Sequence, residues 1–285
     1  MDSYIAWLKD RRHPLFEVAG TYWRPYHQAL VPASPKPEPI ELDLYQANEL
    51  LEKSGTWFLR YFSRTYEQPT AFWYTACYEY DLKKLSPNAR HKIRRAQRHC
   101  RIERVDPAWL ADNGYPCFRA AFSRYRGARP ESREEFEEMC RGSIGGPFEF
   151  WAAFVGHQLV GFAKCVVGYD YSACSVVKLD PSFLSLGPSY ALQDAILRTY
   201  VSEDQKTVTH GFRNVAHDTD IHKFLLQFGY RPVYCDLKVR YRPLVRALVS
   251  VLYPFRLAMR RAPDSGWTAR INAFLFQEEI RRTFE

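Results

Sequence analysis

Between residues 109 and 241 the apolar residues change their period repeatedly, and this switching constrains the fold of the chain more than any other feature. Trp109 to Arg126 and Glu131 to Arg141 carry apolar residues at helical spacing. The second begins with Glu131, Glu134 and Glu135, where the helix dipole favours anions. Phe148 to Val155 and Gln158 to Gly168 are rich in aromatic and β-branched residues and flank Gly156-His157, a tight hairpin signal. Tyr171 to Leu179 reads as a third strand, Pro188 to Val201 as a helix and Thr207 to Phe212 as a strand. Asp218 to Phe228 reads as a helix and Arg231 to Tyr241 as a last extended stretch. Helices interleaved with strands predict a mixed α/β fold, a central mixed sheet flanked by helices.

Upstream, Trp57 to Arg64 and Thr70 to Tyr80 read as two strands separated by Glu67-Gln68-Pro69. Residues 1–45 are aromatic and proline-rich, and the run Pro32 to Pro39 predicts an extended connector, so this segment is expected to be an arm packed on the body. Ser86 before Pro87 is a serine N-cap with proline at the first helical position, and Ile93, Ala96, Gln97 and Cys100 continue at helical spacing. From Lys83 to Arg104 nine Lys/Arg face one acid, Glu103, the densest charge block in the chain. From Arg242 to Arg261, Leu244, Val245, Leu248, Val251, Leu252 and Phe255 make an apolar stripe among five arginines and no acid, with Pro254 expected to kink the helix. The expected divisions are 1–45, 46–106, 107–241 and a basic amphipathic tail at 242–285.

With 46% hydrophobic residues the chain is too apolar to be disordered. Its seven cysteines are odd in number and hold no CxxC pair, which argues against a disulfide framework or a zinc knuckle. No stretch reaches the roughly 18 to 20 apolar residues of a spanning helix, and the first thirty residues lack a secretory pattern. A cytoplasmic location, peripheral on the inner membrane face, is expected. The formal charge of +8 favours anionic partners.

Three segments resemble the GNAT superfamily of acyltransferases. Phe154 to Phe162 is similar to the family's hairpin, whose second strand opens on a valine-glycine pair, here Val160-Gly161. Val177 to Ser189 matches the spacing V-x-P-x-x-[RQ]-x-x-G-x-[GA] of the central strand and pyrophosphate loop, with Leu179 for the valine and Pro181 and Gly187 in register. Leu184 replaces the arginine or glutamine and Ser189 the second glycine. Asn214 through Gly229-Tyr230 resembles the closing helix, and Leu225 occupies the position of the tyrosine that often serves there as general acid. Upstream, Leu85 to Ala96 followed by Ile102 to Val105 looks like a segment of the Fem-like and BioF2-like branches, so residues 46–106 would be a degenerate GNAT-like half.

The resemblance implies an N-acyltransferase in which an amine attacks a thioester directly. Acetyl-CoA or another acyl-CoA would be co-substrate, contacted by Leu179, Leu186, Gly187 and Ser189, and the acceptor would be a small-molecule or peptide amine. His217, His222 and Asn214 would be the catalytic residues, with His217 or His222 taking the proton, since an unperturbed histidine titrates near pH ~6.5. Asp218 is expected to cap the helix that follows. His217, Asp218, Asp220 and His222 are types that suit a divalent ion, yet four adjacent ligands at a helix start splay outward, and no metal is expected. The branch resemblance implies an alternative, an aminoacyl transferase that holds aminoacyl-tRNA on the basic segment 83–104. A further alternative is a non-catalytic GNAT-like module that binds an anionic membrane through 242–261, or a protein.

Overall fold

Alternate residues of the hairpin around Gly156-His157 face opposite helical layers in the computed structural model, which describes residues 2–124, 129–215, 220–261 and 266–285. Phe150 and Phe162 enter one core with Leu110, Phe118, Phe136 and Cys140, from helices Pro107–Asn113, Tyr115–Ala121 and Arg133–Arg141. Trp151, Ala163 and Cys165 enter another with Ile93, Leu192, Ile196 and Leu225. A period of two along a strand produces this division, and it makes a sheet with helices on both faces.

That sheet belongs to the first of two compact units, which gathers Met1–Trp7, Ala76–Gly211 and Lys223–Arg231. Strands Arg101–Val105, Phe148–Val155, Gln158–Val167 and Tyr171–Leu179 run as an antiparallel meander, and Thr207–Phe212 joins the last of them in parallel. Gly161 lies opposite Leu179, and a Cβ there would stand 2.6 Å from Leu179 Cδ2, so a side chain at the second hairpin position would displace the core.

The basic helix spans Pro87–His99, with Ser86 Oγ accepting from the Ala89 amide at 3.2 Å as an N-cap. Ala89, Ile93 and Ala96 form its buried face. The helix expected over 109–126 divides at Gly114, where a Cβ would meet Leu110 O at 2.6 Å and Phe136 Cζ at 2.8 Å; Tyr125 and Arg126 lie outside the described residues. The helix beginning at Pro188 is α-helical to Leu197 and widens to a π turn over Arg198–Glu203. The last helix before residue 229 is described over Ile221–Leu226. Asp218, the expected cap, lies outside the described residues.

The second unit gathers Leu8–Thr75, Phe212–His222 and Pro232–Glu285. The first 45 residues do more here than the arm expected of them: Phe16–Val18, Thr21–Tyr26 and Ala29–Pro32 are strands of a five-stranded sheet completed by Phe58–Tyr61 and Lys238–Tyr241. Trp23, Leu30, Leu50 and Leu59 are fully buried on one side of it, beneath helix Leu44–Ser54. Ala29, Phe58, Tyr241 and Val249 form a second core. The extended stretch 231–241 is interrupted at Asp236 and Leu237. Asp236 is fully buried and accepts from the Ser63 amide and hydroxyl, both at 2.7 Å, and from the Arg64 amide at 3.1 Å.

The expected kink at Pro254 is present as a 3-10 turn, Tyr253–Phe255, between helices Pro243–Leu252 and Arg256–Met259. Helix Gly266–Arg282 closes the chain. All seven cysteines are free and buried, Cys235 in the second unit and the others in the first. Among the described residues no helix is long and apolar enough to cross a membrane.

Candidate functional site

In the first unit two parallel strands begin paired and then part. Tyr171 to Ala173 pair with Thr207 to Thr209, and the pairing ends there although both strands continue, one to Leu179 and the other past His210. The cause lies at the next residues. Cys174 opposes Cys165 but Val176 opposes Lys164, so Ser175 is an extra residue, and its hydroxyl donates to Lys164 O at 3.1 Å. A bulge bends its own strand and raises the local twist. On the other strand Gly211 takes φ +78° and its amide donates to Thr209 Oγ1 at 3.2 Å, turning the chain away. Beyond Ala173 the edge facing the gap has no ladder partner among the described residues, which leaves backbone donors and acceptors that suit an extended donor arm.

Leu179 ends this strand. The segment that follows, expected to be an open phosphate loop, is a 3-10 helix over Pro181–Leu186 with its amides largely engaged. Asp180 caps it, accepting from the Ser182 amide at 2.9 Å, and Asp180 O accepts from Phe183 N at 3.1 Å. Gly187 N donates to Leu184 O at 3.1 Å, while Gly187 O takes the amides of Tyr190 at 2.9 Å and Ala191 at 3.2 Å. Residue 188 is proline, so at this helix start the Ser189 amide is the one left without a backbone partner among the described residues. Gly187 has φ +79°, and a Cβ on it would stand 3.0 Å from Ala96 Cβ of the basic helix.

The basic helix therefore touches this turn directly. Lys92 Nζ lies 5.5 Å from the centroid of the Tyr190 ring, and the Cys100 thiol faces Leu186 O at 3.8 Å. Asp194, buried within helix Pro188–Leu197, fixes the helix from below: it accepts from Gln97 Nε2 at 2.8 Å and from Tyr80 Oη at 2.5 Å, and pairs with Arg198. Burial pushes the Tyr80 phenol up, and its bond to Asp194 adds to the effect. On the outer face Arg94, Arg95 and Arg98 are exposed, and among the described residues none has an acidic partner, as is true of Lys83 and Lys84. Arg101 differs, being paired with Glu103, and Arg104 Nε lies 3.0 Å from Glu149.

Of the residues expected from sequence, Leu179, Leu186, Gly187 and Ser189 belong to the first unit, the last three at one helix start. Asn214 and His222 belong to the second unit, and His217 lies outside the described residues. His222 is half-buried against Trp73, ring centroids 5.6 Å apart, and both ring nitrogens are buried with no hydrogen-bond partner among the described residues. Burial, followed by the Arg213 cation, lowers its pKa, so the ring is neutral at pH 7. Leu225 is fully buried in the first core and supplies packing where a tyrosine would supply a proton.

Ser175 and His210, at the parting of the strands, were not legible in the sequence, because a bulge leaves no mark in a run as regular as Tyr171 to Leu179. Lys164 is a third addition. It is half-buried with Nζ 4.1 Å from the Phe148 ring centroid, and burial lowers its pKa to about 8.

No family model matches the sequence, and no curated protein matches it. Solved structures do match the fold. FemX superposes with a TM-score of 0.56 at 10% identity, covering 87% of this chain and 93% of FemX. The chain shares its fold with FemX. L-PGS from Bacillus licheniformis gives 0.54 at 11% identity over 87% of this chain and 95% of that one. The C-terminal DUF2156 domain of a putative lysylphosphatidylglycerol synthetase from Agrobacterium fabrum gives 0.53 at 9% identity, covering 90% and 92%. The three matches cover 87% to 90% of this chain.

Proposed function

We propose that the chain is an acyl-transfer enzyme whose donor is an aminoacyl ester on tRNA and whose acceptor is an amine. The observation that carries the choice of donor is the turn at Gly187. Its amides are spent internally, so a pyrophosphate finds few backbone donors there, whereas the helix packed against it presents Arg94, Arg95 and Arg98 without acidic partners. Cations free of internal pairing can neutralise a nucleic-acid backbone at no cost in broken ion pairs. The resemblance of Leu85 to Ala96 and Ile102 to Val105 to the Fem-like branch, with the fold likeness to FemX over most of the chain, is consistent with this donor class.

In the reaction the amine lone pair attacks the ester carbonyl carbon, the amide C–N bond forms, and the ester C–O bond breaks to release the ribose hydroxyl. The amine proton passes to a base and returns to the leaving oxygen. His222 is taken as the candidate base: burial favours its neutral imidazole, and its two nitrogens, buried and without hydrogen-bond partners among the described residues, must be uncovered before either can meet an amine. Holding donor and acceptor together supplies most of the acceleration.

The second reading is transfer from acyl-CoA, with Leu179, Leu186, Gly187 and Ser189 contacting the donor. It is favoured by the unpaired strand edge beyond Ala173, which suits a pantetheine arm. Filter binding of charged tRNA and thermal unfolding with acetyl-CoA and a long-chain acyl-CoA separate the two. Salt-sensitive tRNA binding with no CoA-induced shift is the expected result. Stabilisation by acyl-CoA, about 2.7 kcal/mol at a hundred times its dissociation constant, together with no tRNA binding, would reverse the order of the readings.

A further inference from the structure

Helix Pro243–Leu252 has two apolar faces and needs only one of them to join its unit. Val249 is buried and Val245 partly buried against Ala29, Phe58, Tyr241 and Phe274. On an adjoining face Leu244 is 86% exposed, Leu248 59% and Val251 66%, and Phe255 in the next turn is 61% exposed. Their spacing of four, three and four residues keeps them on one stripe, which Leu257 and Trp267, also exposed, extend in number. A contiguous apolar stripe left in water marks an interaction surface.

The charge around the stripe is of one sign. Residues 242–261 hold five arginines and no acid. Arg256 and Arg260 are drawn to Glu279, and Arg242 donates to Leu51 O at 2.5 Å. Arg246 is exposed and has no acidic partner among the described residues. With Arg240 and Arg242 it lines a cavity of about 750 Å³ along the neighbouring flank of the same helix, which Asn48 and Glu52 close from helix Leu44–Ser54. Three guanidiniums and one carboxylate leave the cavity cationic, with the fork geometry that suits a phosphate.

We propose that this face docks on an anionic lipid bilayer, with Leu244, Leu248, Val251 and Phe255 entering the acyl boundary and Arg240, Arg242 and Arg246 taking a lipid phosphate at the headgroup level. Both halves of the arrangement point to that occupant. A polynucleotide would satisfy the arginines and leave the stripe wet. A second copy of this chain would cover the stripe while setting like charges against each other. The inference is independent of the transfer reaction, since it concerns residues outside the proposed site.

Co-sedimentation of the full chain with phosphatidylcholine vesicles, and with vesicles in which about a third of the lipid is phosphatidylglycerol, tests it. Binding to the anionic vesicles alone, weakened by added salt, is expected. Each arginine near such a surface adds roughly fivefold to partitioning, so Arg246→Glu, a change of two charges, should lower it about 25-fold. Leu248→Asp should abolish it, and circular dichroism should show both variants folded, because both side chains are exposed. The proposal is overturned by absent binding, by equal binding to neutral vesicles, or by variants that bind as the parent does. It is also overturned if sedimentation equilibrium finds a dimer that Leu248→Asp dissociates, since a second copy would then cover the stripe.

Discussion

Replacing Arg98 by alanine removes one exposed guanidinium from the basic helix and touches no internal contact. If Arg94, Arg95 and Arg98 each neutralise one phosphate, a plot of log affinity against log salt should have a slope of about −2.7, at roughly −0.9 per contact. A fourfold rise in salt would then weaken tRNA binding about 40-fold. With Arg98→Ala two contacts remain, the slope becomes about −1.8, and the same rise weakens binding only about 12-fold. Arg101→Ala is the matched control. Arg101 is also exposed and basic, but Glu103 already neutralises it, so the slope should stay near that of the parent. The assay is filter binding of charged tRNA over a salt series, with the melting temperature of each variant confirming an intact fold. A slope unmoved by Arg98→Ala, or moved as much by Arg101→Ala, would refute the link between unpaired charge and donor binding.

Three further outcomes follow from the geometry. Gly187→Ala should cost about 1–2 kcal/mol for the left-handed backbone and more for the approach to Ala96, whereas Gly20→Ala, at φ +71° in open space, should show the backbone cost alone; equal melting shifts would discount the contact. Asp236→Ala should destabilise by about 3–5 kcal/mol, as when one partner of a buried charged network is removed, measured by urea unfolding. Burial raises the Asp236 pKa, but the Ser63 and Arg64 hydrogen bonds and Lys238 outweigh it and leave it lowered, so this stability is present above the unfolded carboxylate pKa and lost as pH falls through the folded one. His222→Ala should depress turnover at neutral pH and remove the acid limb of the pH–rate profile, which in the parent should lie below ~6.5 because burial holds the imidazole neutral; an unchanged profile would exclude it as the base.

Local chemistry made much of the fold readable in advance. Ser86-Pro87 marked the start of the basic helix and Gly156-His157 the hairpin, because caps and tight turns are decided within a few residues. The strand at Tyr171 was equally plain. What makes it a site was not, since the bulge at Ser175 and the parting from Thr207–Phe212 depend on partners far away in sequence. The N-terminal 45 residues misled for a related reason. Pro25 tells against a strand, yet burial of Trp23 and Leu30 outweighs it, and Pro25 lies opposite Leu30 in a ladder. Gly114 was concealed because apolar spacing continues through it, although the backbone cannot. The phosphate-loop spacing around Gly187 survived in register while its amides turned inward, a difference that only hydrogen bonding reveals.

The buried cysteines give the two units built-in clocks. Burial pushes the thiols of Cys117, Cys140 and Cys235 up to about 12 and that of Cys77 up to about 11, so at neutral pH they are protonated as well as covered. An alkylating reagent must wait for an opening that exposes the sulfur and lets it ionise. Because Cys235 is the sole cysteine of the second unit, mass spectrometry of the peptide that holds it times the opening of that unit, while the other six time the first. Coincident labelling would mean that the chain opens as one cooperative body; separated rates would resolve two, with no probe introduced into either.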